Sequence, residues 1–471
     1  MHRDFGFLPI PQHLYWGETR EAGLSIPLNL LLAFTSAATA ANRDYCTPLL
    51  SLLAGEFNVS YDTISLLPTL AGLGIVCGIF MVCPAGDVWR RRPLLLGSVF
   101  LTMIFNITQA TAQSASAFQA FTFLANMSSI AFQLIVPFSG DLAGPKESGR
   151  AVGVSLFGLI SGVYFARLIS GIIAEYSTWR AVFGLAAGTE ALAFVLLYWC
   201  LPDFPRKPAV EGHPTSYFGI IRSLFRLTIT EPVLGQSWPL GLISNLLTTG
   251  FWSTTTFILS GPPFNYDSLK ISLVSLAGVT GALTSPFQGL VTDSFLHFTA
   301  VLIGAATIVA ATIPFLVAGG THIAAILVTG MLLEVGCQQL HIAAETRIVT
   351  INPMNPSRMN CVYGIAAFTG SLIGGRPTAA LYLKYGWRNL AIFLFCCAIS
   401  LVIVQLSRGP HQPQSSWLGW SHGHSLRKPL PTAHDGDKKQ EEDPRQRSEV
   451  NSAEQSYANS FKSERSGMRE V

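Results

Sequence analysis

Four polar side chains, Glu334, Gln338, His341 and Glu345, recur at spacings of 4, 3 and 4 in an otherwise apolar stretch. At about 100° per residue they form one narrow stripe on a helix. Such a stripe faces water or protein rather than hydrocarbon. Ionisable groups at membrane depth are costly and mark cavities, partners or proton paths. A carboxyl near mid-span, as Glu334 is, suits proton exchange near neutrality. The competing role is a structural hydrogen bond between helices, and for Glu345, near one end, that role weighs more.

Other polar groups fall in comparable stretches. Asn42, Arg43 and Asp44 are consecutive. On a helix the two adjacent charges cannot face one cavity, so one is expected to pair with a neighbouring helix. Asn126 and Gln133 are seven apart, hence on one face, where amides orient a substrate or join helices. Asn245, Thr249, Trp252 and Thr256 repeat the 4, 3, 4 spacing, a polar and aromatic stripe suited to an amphipathic molecule. Arg43, Arg167 and Arg376 all fall in the outer thirds of outward-running segments. Three fixed positive charges at that depth suit an anionic group on a substrate; alternatively each pairs with a carboxylate or a helix C-terminus. Glu190 sits at mid-segment with no evident role.

These residues require membrane helices to hold them. Charged residues make up 12% of 471 residues, against about 25% in soluble domains, and mean hydropathy is +0.41. Twelve spans of about 20 apolar residues are expected: 27–49, 64–84, 93–112, 117–139, 151–173, 181–201, 236–258, 270–291, 299–318, 322–344, 359–380 and 389–407. Barrel strands would alternate and be about half as long. No signal peptide is read in residues 1–26, taken as a cytoplasmic segment. The eight cysteines lie in apolar stretches, without disulfide-framework or zinc spacing. Residues 202–235 form a central loop between six-helix bundles at 27–201 and 236–407. Residues 408–471 are too polar to bury a core and are expected to form a disordered cytoplasmic tail.

Orientation follows the Lys and Arg bias. With both termini inside, inner segments hold Arg90, Arg91, Arg92, Lys146, Arg150, Arg206, Lys207, Arg222, Arg226, Arg347 and Arg358. Outer loops hold only Arg180, Lys270, Lys384 and Arg388. Asn58-Val59-Ser60, in the first outer loop, is the accessible glycosylation sequon; those at Asn106 and Asn126 are inside spans.

A shift near 208 residues superposes the halves. Trp179-Arg180 falls on Trp387-Arg388, Arg150 on Arg358, and Gln133 on His341. Gly158, Gly162 and Ala166 fall on Ala366, Gly370 and Gly374. These triplets are small-xxx-small stripes that permit close helix approach. Parallel six-span repeats are a transporter architecture.

The segment PAGDVWRRRPLLLG (84–97) resembles the loop motif after the second helix of the major facilitator superfamily, over about residues 27–407. NRDYCTPLL, QLIVPFSGDLAGPKESGRAVG and SGVYFARLISG resemble its drug:proton-antiporter-like branch. The chain departs from the family at Arg43 and Asp44, where apolar or aromatic residues are common, and at GLVTDSFLHF (289–298), which keeps Gly289 and Asp293 without the arginines. The resemblance implies an all-α fold of twelve helices, with spans one, four, seven and ten lining a central cavity. Gly86, Asp87, Arg90, Arg91 and Arg92 would form a gating motif, Asp87 accepting from a helix N-terminus or an arginine to latch the halves.

No nucleotide-binding loop is present, nor any nucleophile–base or metal constellation, so neither an enzyme nor a cofactor is expected. The expected function is alternating-access secondary transport of a small organic molecule, as proton-coupled efflux of a drug or secondary metabolite. Proton-coupled uptake of a nutrient and a non-transporting sensor are the rivals. Protons, substrate and lipid bilayer are the expected partners, with no nucleic acid. A monomer in the plasma membrane, both termini cytoplasmic, is the expected setting.

Overall fold

Proline at its first turn starts the first helix, α1 (Ile26–Ala41), because a first-turn residue needs no amide partner. It stops early. Pro48 cannot donate to the Asp44 carbonyl and its ring would crowd it, so residues 42–46 leave the helix as turns. The span resumes through a tight turn at Thr47–Leu49 into α2 (Leu50–Glu56). In this computed structural model the described residues are 3–5, 8–15, 24–143, 148–203, 217–351, 356–412 and 416–420. All lie in one compact unit, Met1–Arg206 with Pro214–Leu426; the other unit, Lys207–His213 with Arg427–Val471, falls outside them.

The first half continues with α3 (Tyr61–Ile64), α4 (Leu66–Val88), α5 (Arg91–Ala110), α6 (Ala115–Ser128), α7 (Ala131–Ala143), α8 (Ser148–Tyr176) and α9 (Trp179–Cys200). The central loop contains an amphipathic helix, α10 (Tyr217–Thr230), that the sequence reading treats as loop. The second half comprises α11 (Pro232–Ser260), α12 (Ser268–Ser275), α13 (Val279–Ser294), α14 (His297–Ala318), α15 (Ile323–Ile351), α16 (Pro356–Gly374) and α17 (Arg376–Leu406).

Several expected spans are interrupted. The fourth breaks between α6 and α7, where Ser129 Oγ donates to the Thr39 carbonyl and Ser98 Oγ donates to the Ser128 carbonyl. Such side-chain bonds compete with the helix ladder. The eighth breaks between α12 and α13. Helix α17 turns back at Gly386, whose φ of 80° suits glycine; its first part finishes span eleven and its second is span twelve.

Nine described segments are long and apolar enough to cross a membrane. The last, Arg358–Leu406, has 49 residues and so is two crossings. The broken first span and the Thr- and Ser-rich α11 complete the set. The fold is an all-α membrane protein of twelve spans in two six-helix pseudo-repeats. Both chain ends of the described bundle lie on one side, here the terminal side; the other is the far side.

The repeat is visible in packing. A Cβ on Gly158 or Gly162 of α8 would run into the carbonyls of Ala33 and Ala37 on α1. A Cβ on Gly370 or Gly374 of α16 would run into those of Leu242 and Leu246 on α11. Equivalent helix pairs thus close against each other through equivalent small residues. Between halves, α4 packs on α16 and α8 on α12. Thr69 Oγ1 donates to the Leu372 carbonyl at 3.2 Å, and Thr256 Oγ1 to the Thr47 carbonyl at 3.0 Å.

Both ends of the bundle differ from expectation. Arg3–Asp4 and Leu8–Pro9 form a short antiparallel ladder. Residues 408–412 and 416–420 fold back: Gly409 N donates to the Gly419 carbonyl at 2.9 Å, and Trp420 Nε1 to that of Leu406 at 2.7 Å. The polar tail beyond lies outside the described residues. Cys46, Cys77, Cys200, Cys337, Cys396 and Cys397 are free, as small apolar residues should be. Cys361 departs from that reading and is disulfide-bonded; bridging depends on Cα proximity in space, which sequence spacing does not record.

Candidate functional site

The turns that interrupt span one expose its charged side chains toward the junction of the halves. Asp44 Oδ1 accepts from Arg167 Nη2 at 2.6 Å and from Arg167 Nε at 2.8 Å. Both side chains are buried. At such depth neither charge is tolerable alone, so each fixes the other. Asp44 therefore has the partner on a neighbouring helix that the sequence suggests. The expectation that Arg43 and Asp44 face apart fails, because it assumes a helix through residues that form turns. Both line one small cavity of about 10 Å³, roughly the space of a single water.

The cavity is shared by the two halves. Arg43 Nη2 donates to Thr249 Oγ1 at 3.1 Å and to Ser371 Oγ at 3.0 Å. The Arg167 guanidinium lies 4.9 Å from the Trp252 ring centroid, a cation–π distance. Trp252 Nε1 in turn donates to Glu334 Oε1 at 2.6 Å. The result is a continuous buried chain from Asp44 through Arg167 and Trp252 to Glu334. It runs from span one through spans five and seven to span ten. Arg167 Nη1 has no hydrogen-bond partner among the described residues, and Asp44 Oδ2 lies 3.8 Å from Arg43 Nε, so one carboxylate faces both arginines.

The two 4, 3, 4 stripes face each other. Asn245 Nδ2 lies 3.1 Å from His341 Nε2, while Trp252 meets Glu334. Seven residues separate each pair member from the next, in opposite directions, as antiparallel helices require. The Tyr363 hydroxyl lies 2.7 Å from His341 Nδ1. Gln338 and Glu345 on the same stripe are half-buried.

Asn42 points the other way, into the first half. Its Nδ2 donates to Glu190 Oε1 at 2.8 Å, and its Oδ1 accepts from Asn106 Nδ2 at 2.8 Å. This pins the broken segment from behind and gives Glu190 a partner. Asn126 and Gln133 do not share a helix face, because the chain breaks at Ser129 between them. Asn126 is buried and bonds the Thr122 carbonyl of its own helix at 2.9 Å. Gln133 sits beside Gly364 of the second half.

Arg376 is not part of a three-arginine cluster. It is exposed on the far side and donates to Asp62 at 2.8 Å; α16 ends at Gly374, and Arg376 starts α17, whose first part finishes span eleven. In the expected gating motif the side chain of Asp87 and the surroundings of Gly86 lie outside what the structure describes. Arg90 pairs with Asp203 at 2.7 Å and Asp4 at 3.5 Å. Arg92 is buried against Asp4 at 2.8 Å, and Arg91 lies 5.7 Å from the Phe138 ring. These bonds of Arg90 and Arg92 staple the N-terminal ladder to the first half rather than joining the halves. Asn58 is exposed in a left-handed turn, φ 52°, after α2.

Ser371, Tyr363, Asn106 and Phe368 escape sequence reasoning. A lone hydroxyl or ring carries no spacing signal, although Ser371 follows Gly370 of the small-residue stripe. Arg43 lies 5.4 Å from the Phe368 ring.

The profile of the Major Facilitator Superfamily matches residues 32–340. The uncharacterized transporter YgaY of Escherichia coli O157:H7 is 27% identical over 394 residues, covering 83% of this chain and 98% of that protein. Among solved structures, a mutant form of the nucleoside transporter NupG superposes with a TM-score of 0.62 at 14% identity, over 81% of this chain and 99% of that one. The human organic anion transporter MFSD10 gives 0.61 at 15% identity, over 81% and 100%.

Proposed function

The chain belongs to the Major Facilitator Superfamily of membrane transporters, and from that premise we propose that it is a proton-coupled secondary transporter exporting a small organic molecule by alternating access. The observation that carries the reading is the buried chain Asp44–Arg167–Trp252–Glu334, which links a carboxylate of each half through one arginine. A proton arriving at either carboxylate weakens its hold on Arg167 or Trp252. That changes the relative free energy of the two half-to-half arrangements, which is what a coupling ion must do. The cavity between them holds no more than about one water in this arrangement; substrate entering as the halves part there competes for the same guanidinium groups, Arg43 and Arg167. Asn245 and His341 of the second half meet one helical turn from Thr249 of the cavity wall and are placed to orient polar substituents.

Export is favoured by the resemblance of spans one, four and five to the drug:proton-antiporter-like branch. The Lys and Arg bias favours both termini in the cytoplasm, and a plasma-membrane monomer is the simplest setting. The test is accumulation of a labelled panel of organic compounds in cells with and without the protein, with and without a protonophore. Lower accumulation of some compounds, abolished by the protonophore, is the expected result. Equal accumulation across the panel would sink the export reading, and protein-dependent gain would turn it into uptake.

A further inference from the structure

Helix α10 bridges the two halves on the terminal side. Its Tyr217 hydroxyl donates to the Met81 carbonyl of α4 at 3.0 Å. Its Leu224 is buried in the second-half core, with Leu227 packed against it. That accounts for one apolar face. The opposite face is not what an aqueous loop would carry. Phe218 and Ile229 are 77% and 72% exposed, and Arg222 and Arg226 are exposed beside them. At 100° per residue these four fall within about 80° of one another. Neither arginine forms an ion pair among the described residues.

The level of the helix is marked by its surroundings. Trp89 and Trp199 are exposed at the terminal-side ends of spans two and six, and Trp417 and Trp420 in the segment that folds back after span twelve. Exposed tryptophans of this kind lie at the membrane–water boundary. Apolar side chains interleaved with arginines on an exposed helix face at that boundary suit acyl chains and negatively charged headgroups together.

We propose that the Phe218–Arg222–Arg226–Ile229 face of α10 is a docking surface for anionic phospholipid, the two arginines holding the headgroup phosphate and the apolar pair the acyl boundary. The proposal rests on the chain lying in a bilayer, not on the direction or coupling of transport.

Hydrogen–deuterium exchange of the full chain in lipid nanodiscs tests this. Peptides covering 217–230 should exchange severalfold more slowly in discs containing phosphatidylglycerol than in discs of phosphatidylcholine alone. Arg222→Gln with Arg226→Gln should remove the difference while leaving exchange in phosphatidylcholine discs unchanged. Equal exchange of the wild-type chain in both compositions overturns the proposal without reference to any variant. So does a difference that survives the double substitution, or equal protection in phosphatidylcholine discs from free glycerol phosphate.

Discussion

At the scale of residues, the buried pair Asp44–Arg167 is the most consequential contact. Asp44→Asn leaves buried Arg167 without its hydrogen-bonded countercharge, at a cost of about 3–5 kcal/mol. The expected result is a sharply lower unfolding temperature in detergent. Asp44→Leu with Arg167→Met removes both charges and should recover most of that stability while leaving transport abolished. Recovery of transport in the double variant would show that the pair is only structural. Trp252→Phe keeps a ring beneath Arg167 but deletes the N–H to Glu334. A hydrogen bond to a charged group contributes about 1.5–3 kcal/mol, so transport of the identified compound should fall roughly ten- to a hundredfold with the fold intact. Much of this centre can be read in the sequence, because Glu334, Trp252, Asn245 and His341 follow helical spacing on unbroken helices. Arg43, Asp44, Asn126 and Gln133 are misplaced by the same rule, since each pair flanks or falls on a break. Arg376 takes the alternative role, pairing with a carboxylate, because Asp62 lies beside it on the far side.

At the scale of elements, the glycine contacts make α1 with α8, and α11 with α16, close pairs in each half. Gly158→Val and Gly370→Val force those pairs apart. Overpacking of this kind costs about 1–3 kcal/mol, and more is expected here because backbone stands in the way. Gly153→Ala is the control, since a Cβ there meets nothing within 4 Å. Reduced yield of folded protein for the first two, with the third unchanged, is the expected pattern in size-exclusion profiles. The twelve crossings follow from hydropathy, and the offset near 208 exposes the stripes. What hydropathy misses is amphipathic or short. Helix α10 is too polar on average to register as a span, and the Arg3–Pro9 ladder is held by Arg90 and Arg92, which lie far away in sequence.

At the scale of the whole molecule, several bonds between halves gather on the far side, where Asp62–Arg376, Thr69–Leu372 and Thr256–Thr47 close the bundle. Asp62→Asn should shift the population toward a far-side-open form by a factor of roughly five or less, as suits an exposed pair. Spin-label distances between the far ends of α4 and α16 would report that shift, and unchanged distributions would assign the pair no gating role. Coupling, as distinct from gating, is measured most directly as proton flux in proteoliposomes. With a pH-sensitive dye inside, addition of a transported compound should drive proton movement through the wild-type protein. Asp44→Asn and Glu334→Gln should each uncouple it, the compound exchanging while the dye stays silent. Undiminished proton flux in both variants would contradict the assignment of these two carboxylates to coupling.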